Sequence, residues 1–140
     1  MTLHFEHELV ELKEQLLTMA SHAEMAVTTA VKAVIERDDD LARVARNFSR
    51  QMARERFFSH SDRDGKTVIQ RAAKVSWSKI GENLFMCDGM DDFTAFSVRG
   101  WMRSLTHRQN ILDREWTDTG IGVYRTPDDR VYVTQVFVRR

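Results

Sequence analysis

Residues 119–140 read TGIGVYRTPDDRVYVTQVFVRR. Apolar and polar side chains alternate on both sides of Pro127-Asp128-Asp129. The stretch therefore predicts two strands closed as a hairpin, with Arg130 opening the second. Gly120 and Gly122 lie in the first strand. Glycine offers a strand no side chain to pack, so the pair predicts either a bulge or another backbone close against the strand.

Upstream of the hairpin, residues 91–104 (DDFTAFSVRGWMRS) predict a helix capped by Asp91 or Asp92, with Phe93, Phe96 and Trp101 on or near one face. Residues 76–90 (SWSKIGENLFMCDGM) hold no steady period and read as irregular. TVIQRAAKV (67–75) is a short helix capped by Thr67, and FFSHSDRDGKT (57–67) is a loop turning at Asp64-Gly65. Before it, Leu41, Val44, Ala45, Phe48 and Met52 recur at helical spacing behind Asp39 or Asp40 as cap. The polar face of that helix carries Arg43, Arg46, Arg50 and Arg54, read as a solvated face with weak ion pairs.

Residues 3–37 contain no Gly and no Pro. Phe5, Leu9, Leu12, Leu16, Met19, Ala23, Ala26, Ala30 and Ala33 form a heptad seam, which predicts one helix of about 30 residues, long for a globular domain. Glu6, Glu8, Glu11 and Glu14 suit the start of its dipole. It is expected to run antiparallel to the Leu41 helix as a hairpin, and its seam also offers a surface for homo-oligomerisation.

The chain has 140 residues, 42% hydrophobic and 30% charged, which fits one soluble globular domain with or without an appendage. Formal net charge is zero, so the overall field that a nucleic-acid partner calls for is missing. Cys87 is the one cysteine, so no intrachain disulfide forms. No apolar run reaches the roughly 20 residues of a membrane span. The start MTLHFEHELVELKEQ lacks the features of a signal peptide, which places the chain as written in the cytoplasm; a secreted form with its leader removed reads the same apart from Met1.

Three residues carry the candidate chemistry: His60 in RFFSH, Glu82 in IGENL and His107 in THRQNIL. Two imidazoles and a carboxylate suit one divalent cation, zinc above others, with a water in an open position. The same trio also suits metal-free acid–base work, because histidine titrates near neutral pH. Each residue has a plainer reading as well: His60 bonding its own loop, Glu82 bracing a turn, and His107 capping the C-terminal end of the Trp101 helix. No serine or cysteine is visibly paired to a base, and no catalytic residue is assigned. Trp77, Trp101 and Trp116 read as core or cleft wall. Asn83 and Asn110 are expected to bond loop backbone.

The run LARVARNFSRQMARERFFSHSDRDG, then IGENL, then WMRSLTHRQNILDREWTDTGIGVYR, then VYVTQVF resembles the CAP superfamily (cysteine-rich secretory, antigen 5 and pathogenesis-related 1 proteins) in its compact bacterial, SCP-like branch. The resemblance covers roughly residues 39–138. It implies an α+β fold, a three-layer α-β-α sandwich, whose cleft binds a metal or small ligand through His60, Glu82 and His107. Hydrolysis is compatible with the family but unproven for it as a whole. Many eukaryotic relatives carry a second glutamate just after the tryptophan matching Trp101; here Met102, Arg103 and Ser104 follow. Members are usually secreted and often disulfide-bonded, features this chain lacks. Residues 3–45 resemble instead the opening helix and turn of PhoU-like phosphate-signalling regulators. This suggests a chimera, natural or engineered, with a PhoU-like helix at 1–38 replacing the first CAP helix ahead of a CAP domain at 39–140. A divergent CAP helix is the alternative, and the alternative function is a helical regulatory or interaction module, or an engineered chimera without a cellular function.

Overall fold

The computed structural model describes residues 38–140. The expected N-terminal helix, its seam, its hairpin with the next helix and any self-association through it fall outside the described residues. The elements are α1 (Asp39–Glu55), α2 (Val68–Arg71), β1 (Lys79–Asp88), α3 (Phe93–Arg103), α4 (Leu105–Leu112), β2 (Asp118–Arg125) and β3 (Arg130–Arg139), an α+β arrangement.

The predicted hairpin is present, and β3 is its inner strand. The sheet order is β1-β3-β2, antiparallel throughout. Val131 to Val138 are all buried, as a central strand covered on both faces requires. Side chains alternate, so the two faces of β3 meet different helices. Val136 and Val138 pack with Leu41 and Ala45 of α1, and Tyr132 packs with Phe48, Met52 and Leu84. On the opposite face Val131 and Val133 pack with Trp101 of α3, beside Phe85 of β1 and Ile111 of α4.

Gly120 and Gly122 mark a close approach, because the β2–β3 register runs on with no bulge. A Cβ at Gly120 would sit 2.3 Å from the Ala42 nitrogen, and one at Gly122 would sit 2.0 Å from the Arg46 nitrogen. The α1 backbone thus lies directly on β2. The Ser49 hydroxyl fastens it there, donating to the Gly122 carbonyl at 2.9 Å and lying 2.8 Å from the Thr134 hydroxyl.

Three local expectations are corrected. The cap of α1 is Asp38, one residue earlier than expected; its carboxylate accepts from the Asp40 and Leu41 nitrogens at 3.0 Å each. Phe96 is 44% exposed, so only Phe93 and Trp101 serve the buried face of α3. Residues 79–88 are strand β1, not irregular chain. Gly81, Glu82 and Asn83 are poor strand formers, but full-length pairing with β3 overrides that preference.

Candidate functional site

β1 is the outer strand of the described sheet, and the candidate residues gather around its Glu82–Asn83 step. His60 arrives from the loop that follows α1. Arg56 ends that helix in the left-handed conformation, φ 55° and ψ 55°, and turns the chain back toward the sheet. Asp62 then shapes the loop. Its Oδ1 accepts from the Asp64 and Lys66 nitrogens at 2.9 Å each, and Gly65 takes φ +78° between them. The backbone N–H of Lys66 above all holds the Asp62 carboxyl below its usual range.

The loop leads into α2, which delivers Arg71 beneath His60. The Thr67 nitrogen donates to Gln70 Oε1 at 2.8 Å, fixing the start of this single turn. Arg71 Nη1 donates to the carbonyls of His60 at 3.1 Å and Lys66 at 3.2 Å. Arg71 Nη2 donates to Glu82 Oε2. The guanidinium lies over the Phe48 ring, 3.3 Å from its centroid. Burial lowers the Arg71 pKa, and the Glu82 charge opposes that fall.

Glu82 is the hub. Its side chain is 2% exposed, and both oxygens are engaged, Oε2 by Arg71 and Oε1 by His60 Nδ1 at 2.8 Å. Facing a carboxylate oxygen, His60 Nδ1 is the donor of this bond. His107 reaches the site from α4. It lies inside a helix of its own rather than capping α3. Its Nδ1 is 2.8 Å from the Ser104 hydroxyl. Burial, followed by the charge of nearby His60, lowers its pKa. No described residue hydrogen-bonds either imidazole at Nε2.

Two asparagines hold α4 against β1. Fully buried Asn83 donates to the His107 carbonyl at 3.0 Å, and Asn110 donates to Asn83 Oδ1 at 2.9 Å and to the Glu82 carbonyl at 3.3 Å. Their partners belong to a helix and a strand, not to the loops expected. Trp101 donates to the Leu84 carbonyl at 2.8 Å and Trp116 to the Asn110 carbonyl at 2.7 Å, so two of the three tryptophans brace the same seam. Trp77 is half-buried against the Leu41 cluster.

The structure therefore joins His60 and Glu82 directly and ties His107 to the same strand through Asn83. Among the described residues, no group of three or more His, Cys, Asp or Glu side chains is placed to hold a metal ion. Sequence reasoning missed Arg71, which carries no signal within a helical TVIQRAAKV. It also missed Ser104, though that signal was legible. Ser104 is the N-cap position of α4 and His107 the third helical residue, the spacing at which a cap and its partner meet.

The CAP family of cysteine-rich secretory proteins matches residues 30–137, and the chain belongs to it. A curated relative, the uncharacterised membrane protein YlbC of Bacillus subtilis, is 32% identical over 112 residues, which is 77% of this chain and 30% of the relative. A solved extracellular protein containing an SCP domain, from Bacillus anthracis, is 33% identical over 74% of this chain and 33% of its own, with a TM-score of 0.62. An outer surface protein of Borrelia burgdorferi shares the fold at 22% identity and a TM-score of 0.67, over 91% of this chain and 94% of its own. This chain thus spans about a third of the first two relatives. Those names speak of membrane, exterior and outer surface, so the cytoplasmic expectation finds no support in them. No helix among the described residues is long and apolar enough to cross a membrane.

Proposed function

We propose that this CAP domain binds a divalent cation, zinc by preference, through Nε2 of His60 and of His107, in a cleft that also admits a small ligand. The observation that carries the reading is the shared anchoring of the rings. Each imidazole spends Nδ1 on the protein and leaves Nε2 without a hydrogen-bond partner among the described residues. This is the arrangement in which an outer carboxylate or hydroxyl fixes a ligating histidine. Glu82 fits the outer role and not that of a ligand, because His60 and Arg71 occupy both of its oxygens. His107 joins once its Nδ1 proton is donated to Ser104. Two nitrogens leave the other positions to water or ligand, which makes the affinity modest and the ion exchangeable. The bound ion would supply Lewis acidity; the protein's own contribution is to hold both rings in place.

A second reading rests on the His60–Glu82 hydrogen bond alone. A carboxylate behind an imidazole is also the pair that turns a histidine into a general base. Residues 1–38 enter the proposal as a PhoU-like helix standing in for the first CAP helix.

Calorimetric zinc titration at neutral pH tests the metal. His60→Ala and His107→Ala are each expected to abolish binding while the circular dichroism spectrum holds. Binding that survives loss of His107 but vanishes when His4, His7 and His22 are replaced sinks the metal reading. A wild-type chain that takes up no zinc leaves the acid–base pair as the reading to pursue.

A further inference from the structure

The sheet outruns the helix that covers it. β1 and β3 have ten residues each, a length of about 33 Å at strand rise. α1 has 17 residues and spans about 25 Å. It starts over Val136 and Val138 and has reached Tyr132 by Met52. The helix then ends at the left-handed turn of Arg56. Among the described residues, the next row of the sheet is only partly covered on the α1 face, buried at Tyr132 and open at its two ends. Met86, Tyr132 and Tyr124 stand side by side there on the three strands. Phe57 and Phe58 wall this floor, and the open pocket between them measures about 870 Å³. Met86 is 36% exposed and Phe58 46%, apolar surface left in water among the described residues.

The rim is cationic. Arg54 and Arg56 stand on it with Arg130 and Asp128. The Asp88 carboxylate engages Arg130, Nε to Oδ1 at 2.6 Å and Nη2 to Oδ2 at 3.1 Å. The Thr126 hydroxyl first, and the Arg56 charge last, hold the Asp128 carboxyl low. Among the described residues, no side-chain acid pairs with Arg54 at hydrogen-bonding distance. The pocket therefore combines an aromatic floor with surplus guanidinium at its mouth. Aromatic faces accept flat rings, and guanidinium forks accept planar acid groups in bidentate fashion. The pocket is separate from the imidazole pair. Met86 lies four residues beyond Glu82 on the same face of β1, about 13 Å away, with Leu84 between them.

We propose that this pocket binds a small planar aromatic anion, its rings on Tyr124, Phe57 and Phe58 and its acid group on Arg54 and Arg56. The proposal is independent of the metal reading. Two dyes test it on the full chain by fluorescence titration at low salt: anilinonaphthalene sulfonate and its uncharged parent, phenylnaphthylamine. The sulfonate is expected to bind at one saturable site, tighter than the parent by at least about tenfold, the size of one charge-assisted contact. Replacing both arginines (Arg54→Gln with Arg56→Gln) should erase that preference and leave the parent's binding in place. Phe58→Ser, a change at an exposed side chain, should weaken both dyes, and zinc should affect neither. Equal binding of the two dyes marks a mere apolar patch and overturns the proposal. So does a sulfonate preference that survives loss of both arginines, or a full chain that binds neither dye.

Discussion

Removing the Glu82 carboxylate strands Arg71, whose side chain is 10% exposed and turned toward that acid. Breaking one half of a buried pair leaves the other charge uncompensated, so Glu82→Gln is expected to destabilise the fold by about 3–5 kcal/mol. Adding Arg71→Met should recover much of the loss, because the pair and its desolvation then disappear together. Urea midpoints of the two single variants and the double close the cycle, and a loss below about 1 kcal/mol for Glu82→Gln contradicts the buried pair. His107 works through pH. Its folded pKa lies below the ordinary 6.5, so above 6.5 both the folded and the unfolded chain hold it neutral and it contributes nothing. As pH falls through 6.5 the unfolded chain takes the proton first, and stability declines until the folded pKa is passed. In metal-free buffer His107→Gln should therefore show a flatter fall of the urea midpoint between about pH 7.5 and pH 5. A fall as steep as the wild type's means that the native ring protonates freely.

At the level of elements, the hairpin and the apolar stripe of α1 were legible because each answers to one local period. Gly120 and Gly122 narrowed the strand to a bulge or a close backbone, and the α1 backbone lying on both is the second of these. β1 was not legible. Its central residues are chosen for the site: Glu82 holds His60, Asn83 holds α4, and neither favours a strand. The trio His60, Glu82 and His107 was visible as residue types, but Arg71 was not, since nothing in a short helix marks which arginine turns inward. The two kinds of glycine can be told apart by experiment. Gly122→Ala drives a methyl into the α1 backbone and should cost several kcal/mol or unfold the protein, at the upper end for overpacking. At Gly100, inside α3, the nearest obstacle to a Cβ is the Phe85 ring at 3.4 Å, an ordinary contact. Gly100→Ala should be neutral or stabilising by about 0.5–1 kcal/mol, the helix preference of alanine over glycine. Thermal melts of both variants check the contrast, and similar melting temperatures would contradict the close packing of α1 on β2.

Over the whole molecule, the two helical layers meet the metal question. His60 hangs from the α1 side of the sheet, and His107 belongs to α4, which packs with α3 and β1. An ion held by both would link segments that otherwise communicate through β1. Such an ion binds the folded chain and not the unfolded one, so it should raise stability by about 2.7 kcal/mol when zinc is present at 100 times its dissociation constant. For a domain of this size the melting temperature should rise on the order of 10 °C. Protons compete for the same Nε2 atoms, so the shift should shrink as pH drops below the ordinary histidine value of 6.5 and vanish with a chelator at any pH. Asn83→Ala supplies a further check. It removes the bond to the His107 carbonyl while leaving both imidazoles in the chain. If the site depends on α4 being held to β1, this variant should lose most of the zinc-induced shift in addition to its own loss of stability. A full shift in Asn83→Ala would mean that the two rings find the ion without the clamp, and that the Asn83–Asn110 pair serves the fold alone.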